Sequence, residues 1–221
     1  MYKHLDITLL PINLPVGKVV CVGQNYADHI LEMNSTPDVD DALLFMKPST
    51  ALTPLMPKFA VPEQKLGPCH NETELAVLIK QPLTKACIDE IDAAIWGYGI
   101  ALDLTLREVQ ARAKKMGRPW ERAKSFDGSC PTSPFIEKAQ FVDPQACQIS
   151  LIVNEKVRQK GNTGQMLRSI NNLLVEISHC FTLLLGDIVL TGTPAGVGPL
   201  IKGDKLTVNL ASTYQFETEV V

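Results

Sequence analysis

The run His70-Asn71-Glu72-Thr73-Glu74-Leu75-Ala76-Val77-Leu78-Ile79 constrains this chain more than any other segment. Its apolar half reads as a buried β-strand, too short and too β-branched for a core helix. Side chains alternate across a strand, so Glu72 and Glu74 point to the same side at the strand's mouth. Two like charges converging beside a core are costly unless a cation lies between them. Oxygen-only ligands select a hard ion such as Mg²⁺, Mn²⁺ or Ca²⁺ rather than zinc. The competing reading is a solvated strand end, since glutamates are mostly exposed.

A third acid, Asp103, interrupts the strand-like run Tyr98–Leu102, and apolar spacing predicts a helix over Leu104–Met116. As an isolated aspartate it reads as a helix N-cap, but with Glu72 and Glu74 it completes a reasonable octahedral Mg²⁺ site. Near the N-terminus the strand-like Lys18–Val22 leads through a turn into a short helix within 24–33. His29 and Glu32, three apart, share a face of it. A carboxylate beside an imidazole fixes its tautomer and raises its basicity, which prepares a general base; an ordinary surface ion pair has the same spacing. A third segment, Asp187–Pro199, runs from a buried strand into a loop rich in Gly, Thr and Pro. Glycines allow close backbone approach to a ligand, and amides and hydroxyls can hold a carboxylate. It carries neither a Walker nor a dinucleotide fingerprint, and a plain turn is the alternative.

Taken in order, G-x-N-Y-x-x-H-x-x-E, H-x-E-x-E-L-A, D-x-T-x-R, K-x-F-D and T-G-T-P-x-G-V-G resemble the fumarylacetoacetate hydrolase superfamily over roughly residues 18–204, in its short single-domain form. The resemblance implies that Glu72, Glu74 and Asp103 hold Mg²⁺ or Mn²⁺, and that His29 and Glu32 activate water from a lid-like helix. It implies that Lys124 polarises the substrate and that Thr193, next to Gly192, contacts a substrate carboxylate. Arg107, Gln110 and Lys47 match pocket positions. It further implies an α+β fold of layered mixed β-sheets rolled into a barrel-like core, with a few peripheral helices, and a homodimer. The activity expected first is cleavage of 3-acylpyruvates to pyruvate and a carboxylic acid. Alternatives sharing the same enolate are oxaloacetate decarboxylation, oxaloacetate keto–enol tautomerisation and isomerisation of dienoic diacids; a catalytically silent dicarboxylate-binding module is the non-enzyme alternative. Two turns depart from the family pattern: Leu185-Gly186-Asp187 for Pro-Gly-Asp, and Asn154-Glu155 for Asn-Gly.

The 221 residues predict one domain, 1–221, with room for a substantial core. A net charge of −3 and the lack of a basic tract point away from nucleic acid and anionic membrane surfaces. The 6 cysteines show no C-x-x-C spacing and form neither a zinc signature nor a compact disulfide framework; several lie in apolar runs and read as small core residues. With no signal-like N-terminus and no apolar run of membrane-spanning length, the chain reads as cytoplasmic, and the resemblance implies a small 2-oxo acid as its substrate. Further strands are expected at Leu43–Met46, Ile149–Val153, Ile188–Thr191, Lys205–Leu210 and Phe216–Val221, and helices at Ile88–Ile95 and Gly164–Leu184. The polar stretch 34–41 reads as a surface loop or part of the lid.

Overall fold

The structure, a computed structural model, describes residues 2–33, 36 and 40–221; most of the polar stretch 34–41 lies outside them. The strands are β1 Val19–Gly23, β2 Leu43–Lys47, β3 Leu52–Pro54, β4 Lys58–Phe59, β5 Cys69–Asn71, β6 Thr73–Ile79, β7 Ile95–Leu102 and β8 Thr105–Leu106. They continue as β9 Cys130–Thr132, β10 Ile136–Glu137, β11 Gln148–Val153, β12 Lys156–Asn162, β13 Ile188–Leu190, β14 Gly198–Leu200, β15 Lys205–Leu210 and β16 Tyr214–Val220. The helices are α1 Ala27–Glu32, α2 Ile88–Ala94, α3 Arg107–Lys115, α4 Glu121–Lys124 and α5 Ile170–Cys180.

The largest sheet runs β2-β1-β13-β6-β7-β9-β3, with β10 also paired to β7, and it curls into a half-barrel. A second sheet, β12-β11-β15-β16-β4, packs on it, and a third, β14-β5-β8, lies at its end. The strict period of two in β6 explains the layering. Leu75, Val77 and Ile79 enter the main core with Ile149, Leu151, Val208 and Leu210 of the second sheet and Leu173, Leu174 and Ile177 of α5. Ala76 and Leu78 point the other way, into the smaller core inside the curl with Val19, Cys21, Ile188 and Leu190. The result is the strand-rich α+β architecture expected from the sequence.

Two helix boundaries differ from the sequence expectation. The apolar spacing from Leu104 continues into α3, yet Thr105 and Leu106 pair with His70 and Cys69 as β8, so α3 starts only at Arg107. Asp103 is therefore no N-cap. Likewise α5 is shorter than Gly164–Leu184: Ser169 caps it by accepting the Asn172 amide (3.3 Å), and Leu183 leaves to pair with Leu83.

Candidate active site

Strand register builds the site. β6 and β7 pair antiparallel with Thr73 opposite Leu102 and Glu74 opposite Ala101, and the Asp103 amide donates to the Glu72 carbonyl (2.7 Å). Directly opposed residues share a face, so Glu72, Glu74 and Asp103 emerge together on the concave side. One oxygen of each lies within 4.8 Å of the others, and all three are buried.

Cations converge on them from other parts of the chain. Lys124, at the end of α4, donates to Glu72 Oε2 (2.7 Å) and Asp103 Oδ2 (2.5 Å). Lys47 of β2 pairs with Asp103 Oδ1 (2.8 Å) and donates to the Ser129 carbonyl and Oγ (both 3.1 Å) and to the Lys124 carbonyl. β2 and β7 are separated by β1, β13 and β6 in the sheet, so Lys47 reaches Asp103 across the curl. Arg107, the first residue of α3, pairs with Glu72 Oε1 and donates to Gln110 Oε1 (2.9 Å).

Burial opposes the charge of Glu72, but Lys124, Arg107 and the neighbouring His29 hold its carboxyl well below the usual range. Glu74 has the opposite fate. Burial, then the negative charges of Asp103 and Glu72, push its carboxyl well above the usual range. Burial also works against the Lys124 charge, yet Asp103 and Glu72 raise the amine above an ordinary lysine, so it stays an ammonium. Buried, converging, oxygen-only ligands, one of them disfavoured as an anion by its neighbours, fit a hard divalent cation.

The dyad stands beside this cluster. His29 is 7% exposed and its Nδ1 lies 3.1 Å from Glu32 Oε2. Glu32 Oε1 accepts the Gly196 amide (3.0 Å), which ties α1 to the loop following β13. With Nδ1 engaged, Nε2 is the ring nitrogen left for proton transfer.

The loop between β13 and β14 closes the site. The Gly192 amide donates to Glu74 Oε2 (2.6 Å). Gly192 has φ 95°, and a Cβ there would stand 2.8 Å from Asn25 Cβ, so only glycine lets the amide turn inward. Thr193 lies in this loop, where its hydroxyl donates to the Thr73 carbonyl (3.0 Å) and accepts from Gln159 Nε2 (2.8 Å). That hydroxyl braces the loop against β6 and β12.

Two bracing residues escaped the sequence reading. Gln159 of β12, 1% exposed, also donates to the Pro194 carbonyl (2.8 Å) and accepts from Asn71 Nδ2 (2.7 Å) and the Thr73 amide (3.0 Å). It joins the loop to the backbone carrying Glu72 and Glu74. Asn25 donates to the Thr191 carbonyl (2.9 Å) and accepts the Arg168 amide (2.7 Å), fixing the start of α1. The G-x-N-Y match held a signal for Asn25. Nothing marked Gln159, a polar residue in a polar stretch.

The chain and its fold are similar to known proteins. The family profile described as fumarylacetoacetate (FAA) hydrolase C-terminal matches residues 18–221. An oxaloacetate tautomerase from Escherichia coli (strain K12) is 52% identical over 209 residues, covering 94% of each chain. A crystal structure of a putative fumarylacetoacetate hydrolase family protein from Yersinia pestis CO92 superposes with TM-score 0.97 at 50% identity, over 100% of both chains. A fumarylpyruvate hydrolase from Pseudomonas aeruginosa, in complex with Mn²⁺ and pyruvate, gives TM-score 0.91 at 34% identity, over 98% of this chain and 94% of that one.

Proposed function

The chain belongs to the fumarylacetoacetate hydrolase family, and within it we propose that it is a divalent-metal-dependent oxaloacetate tautomerase, interconverting the keto and enol forms of this 2-oxo diacid. The observation that carries the choice of reaction is the 52% identity, over 94% of both chains, to a relative bearing that name. The first sequence expectation, hydrolysis of 3-acylpyruvates, has less support and stands as the second reading. It draws on the His29–Glu32 dyad, which could activate water, and on the fumarylpyruvate hydrolase at 34% identity.

Glu72, Glu74 and Asp103 would hold Mg²⁺ or Mn²⁺. When bound, such an ion supplies Lewis acidity that stabilises the enolate of a 2-oxo acid. The chain's own residues do the rest. His29 Nε2 takes the proton from C3, the C–H electron pair becomes the C2–C3 double bond and the C2=O π pair moves onto oxygen; the imidazolium then gives its proton to that oxygen to complete the enol, and the same steps run backward to the ketone. Glu32 holds the imidazole in one tautomer and balances the imidazolium. Lys124, kept protonated by Asp103 and Glu72, places positive charge where the C2 oxygen gains electrons. Arg107 and the Gly192 amide hold Glu72 and Glu74 in place.

The test measures enol-to-ketone conversion of oxaloacetate beside cleavage of acetylpyruvate and fumarylpyruvate, each with Mg²⁺ and with Mn²⁺. The highest kcat/KM is expected for tautomerisation. Dominant pyruvate release from an acylpyruvate would establish the second reading instead.

A further inference from the structure

Lys47, Arg107 and Lys124 are each paired with a carboxylate of the cluster. A fourth cation stands close by without such a partner. Lys114 occupies the same face of α3 as Arg107 and Gln110, at the i, i+3, i+7 spacing that aligns side chains along a helix. Its ammonium lies 4.8 Å from the centroid of the Trp120 ring, and it makes no ion pair with an acid among the described residues. Lys114 is exposed overall, yet partial burial and the nearby Arg107 guanidinium pull its amine below an ordinary lysine, and the charges of Glu72 and Lys124 also act on it. An ammonium held by an aromatic face, and not neutralised by an acid, remains available to an anion.

Trp120 connects this cation to the site. It precedes α4, and its carbonyl accepts the amide of Lys124 (3.0 Å). Its ring packs on Phe45 at a centroid distance of 6.0 Å, and the Lys124 ammonium lies 5.0 Å over that same Phe45. Phe45, Trp120, Arg118 and Lys124 line one cleft of about 380 Å³. Along the bend from α3 to α4, the cations paired at the carboxylate cluster thus give way to Lys114, which sits on the Trp120 ring beside this cleft.

We propose that Lys114, seated on Trp120, is a specificity-determining residue that receives the second carboxylate of a dicarboxylic 2-oxo acid whose 2-oxo carboxylate end is held at the cluster. The inference rests on the proposed function for placing that end of the substrate. Such a contact would let the chain distinguish a diacid from pyruvate, which lacks the distal carboxylate.

The experiment titrates Mn²⁺-loaded protein by calorimetry with pyruvate and with 3,3-difluorooxaloacetate, a diacid that has no C3 hydrogen and so cannot enolise. Lys114→Met keeps the aliphatic packing on Trp120 and removes the charge; Lys114→Arg keeps the charge. Lys114→Met should weaken the diacid about tenfold, as for loss of one charge-assisted contact, and leave pyruvate nearly unchanged, while Lys114→Arg preserves the preference. Equal weakening of both ligands, or no change in either, overturns the role of Lys114. Wild-type protein that prefers the diacid but does not tautomerise oxaloacetate would sink the proposed function while leaving this inference standing. Failure of both ligands to bind wild-type protein would remove both.

Discussion

At the residue scale, the site separates groups that hold charge from the group that moves a proton. Lys124 is locked as an ammonium between two carboxylates, so in the proposed reaction the proton transfer is assigned to His29. Replacing His29 with Ala should lower kcat by about 100-fold or more, the usual share of a general base. Mn²⁺ affinity should stay within about twofold, because His29 is not among the carboxylate ligands; equilibrium dialysis against Mn²⁺ checks that half. Gln159→Leu removes four hydrogen bonds from one buried amide while keeping its bulk. We expect a loss of about 2–4 kcal/mol in urea unfolding, because buried partners are left unsatisfied. A histidine far from the chemistry sets a pH dependence. Burial holds the His4 imidazole below its ordinary value of 6.5, while Nε2 bonds the Gly186 carbonyl (3.0 Å). The unfolded chain then binds more protons than the folded one as pH falls below 6.5, so stability drops from there downward. His4→Gln, whose amide can replace the Nε2 donor, should flatten that slope in unfolding curves between pH 7 and 5.

At the element scale, two turns that depart from the family pattern carry measurable strain or slack. β11 and β12 are joined by Asn154 (φ 48°) and Glu155 (φ 66°), both left-handed, the geometry of a type I′ hairpin. Glu155→Gly should stabilise the protein by about 1 kcal/mol, since a side chain there adopts a conformation costing roughly that much. The Leu184 carbonyl accepts the Asp187 amide (3.1 Å) around Gly186 at φ 80°, a type II turn with Leu185 at the position proline favours. Leu185→Pro should add about 0.4–1 kcal/mol by restricting the unfolded chain, seen as a higher melting temperature. Legibility follows the same physics. β6, β7, β11 and β15 were readable because apolar alternation or a continuous apolar run marks a buried strand. β12 was not, because the residue it buries most is Gln159 rather than an aliphatic. β5, β8 and β14 span only two or three residues each and exist by pairing with one another.

At the scale of the whole molecule, the carboxylate cluster is where the proposed metal binding would couple to folding. The raised carboxyl of Glu74 means that ionising it opposes the fold, and a bound divalent cation would relieve that opposition. Adding Mn²⁺ at about 100 times its Kd should therefore raise stability by about 2.7 kcal/mol, or roughly 5–10 °C in melting temperature, and chelation should reverse it. Glu74→Gln should remove most of that increment; an unchanged Mn²⁺ shift in this variant would refute the metal assignment. The sequence by itself determined the strands that alternate, the three acids on one side of their strand ends, the dyad one helical turn apart and the family pattern that joins them, because period-two and period-3.6 spacing are local geometry. Only the tertiary structure decided that Lys47 crosses the curl to Asp103, that Arg107 opens α3 against Glu72, that the Thr193 hydroxyl is held by Gln159, and that Lys114 rests on Trp120 near the site. Those contacts depend on how far the sheet curls and on where helices end against neighbouring strands. Both are set by long-range packing, which leaves no periodic trace in the chain.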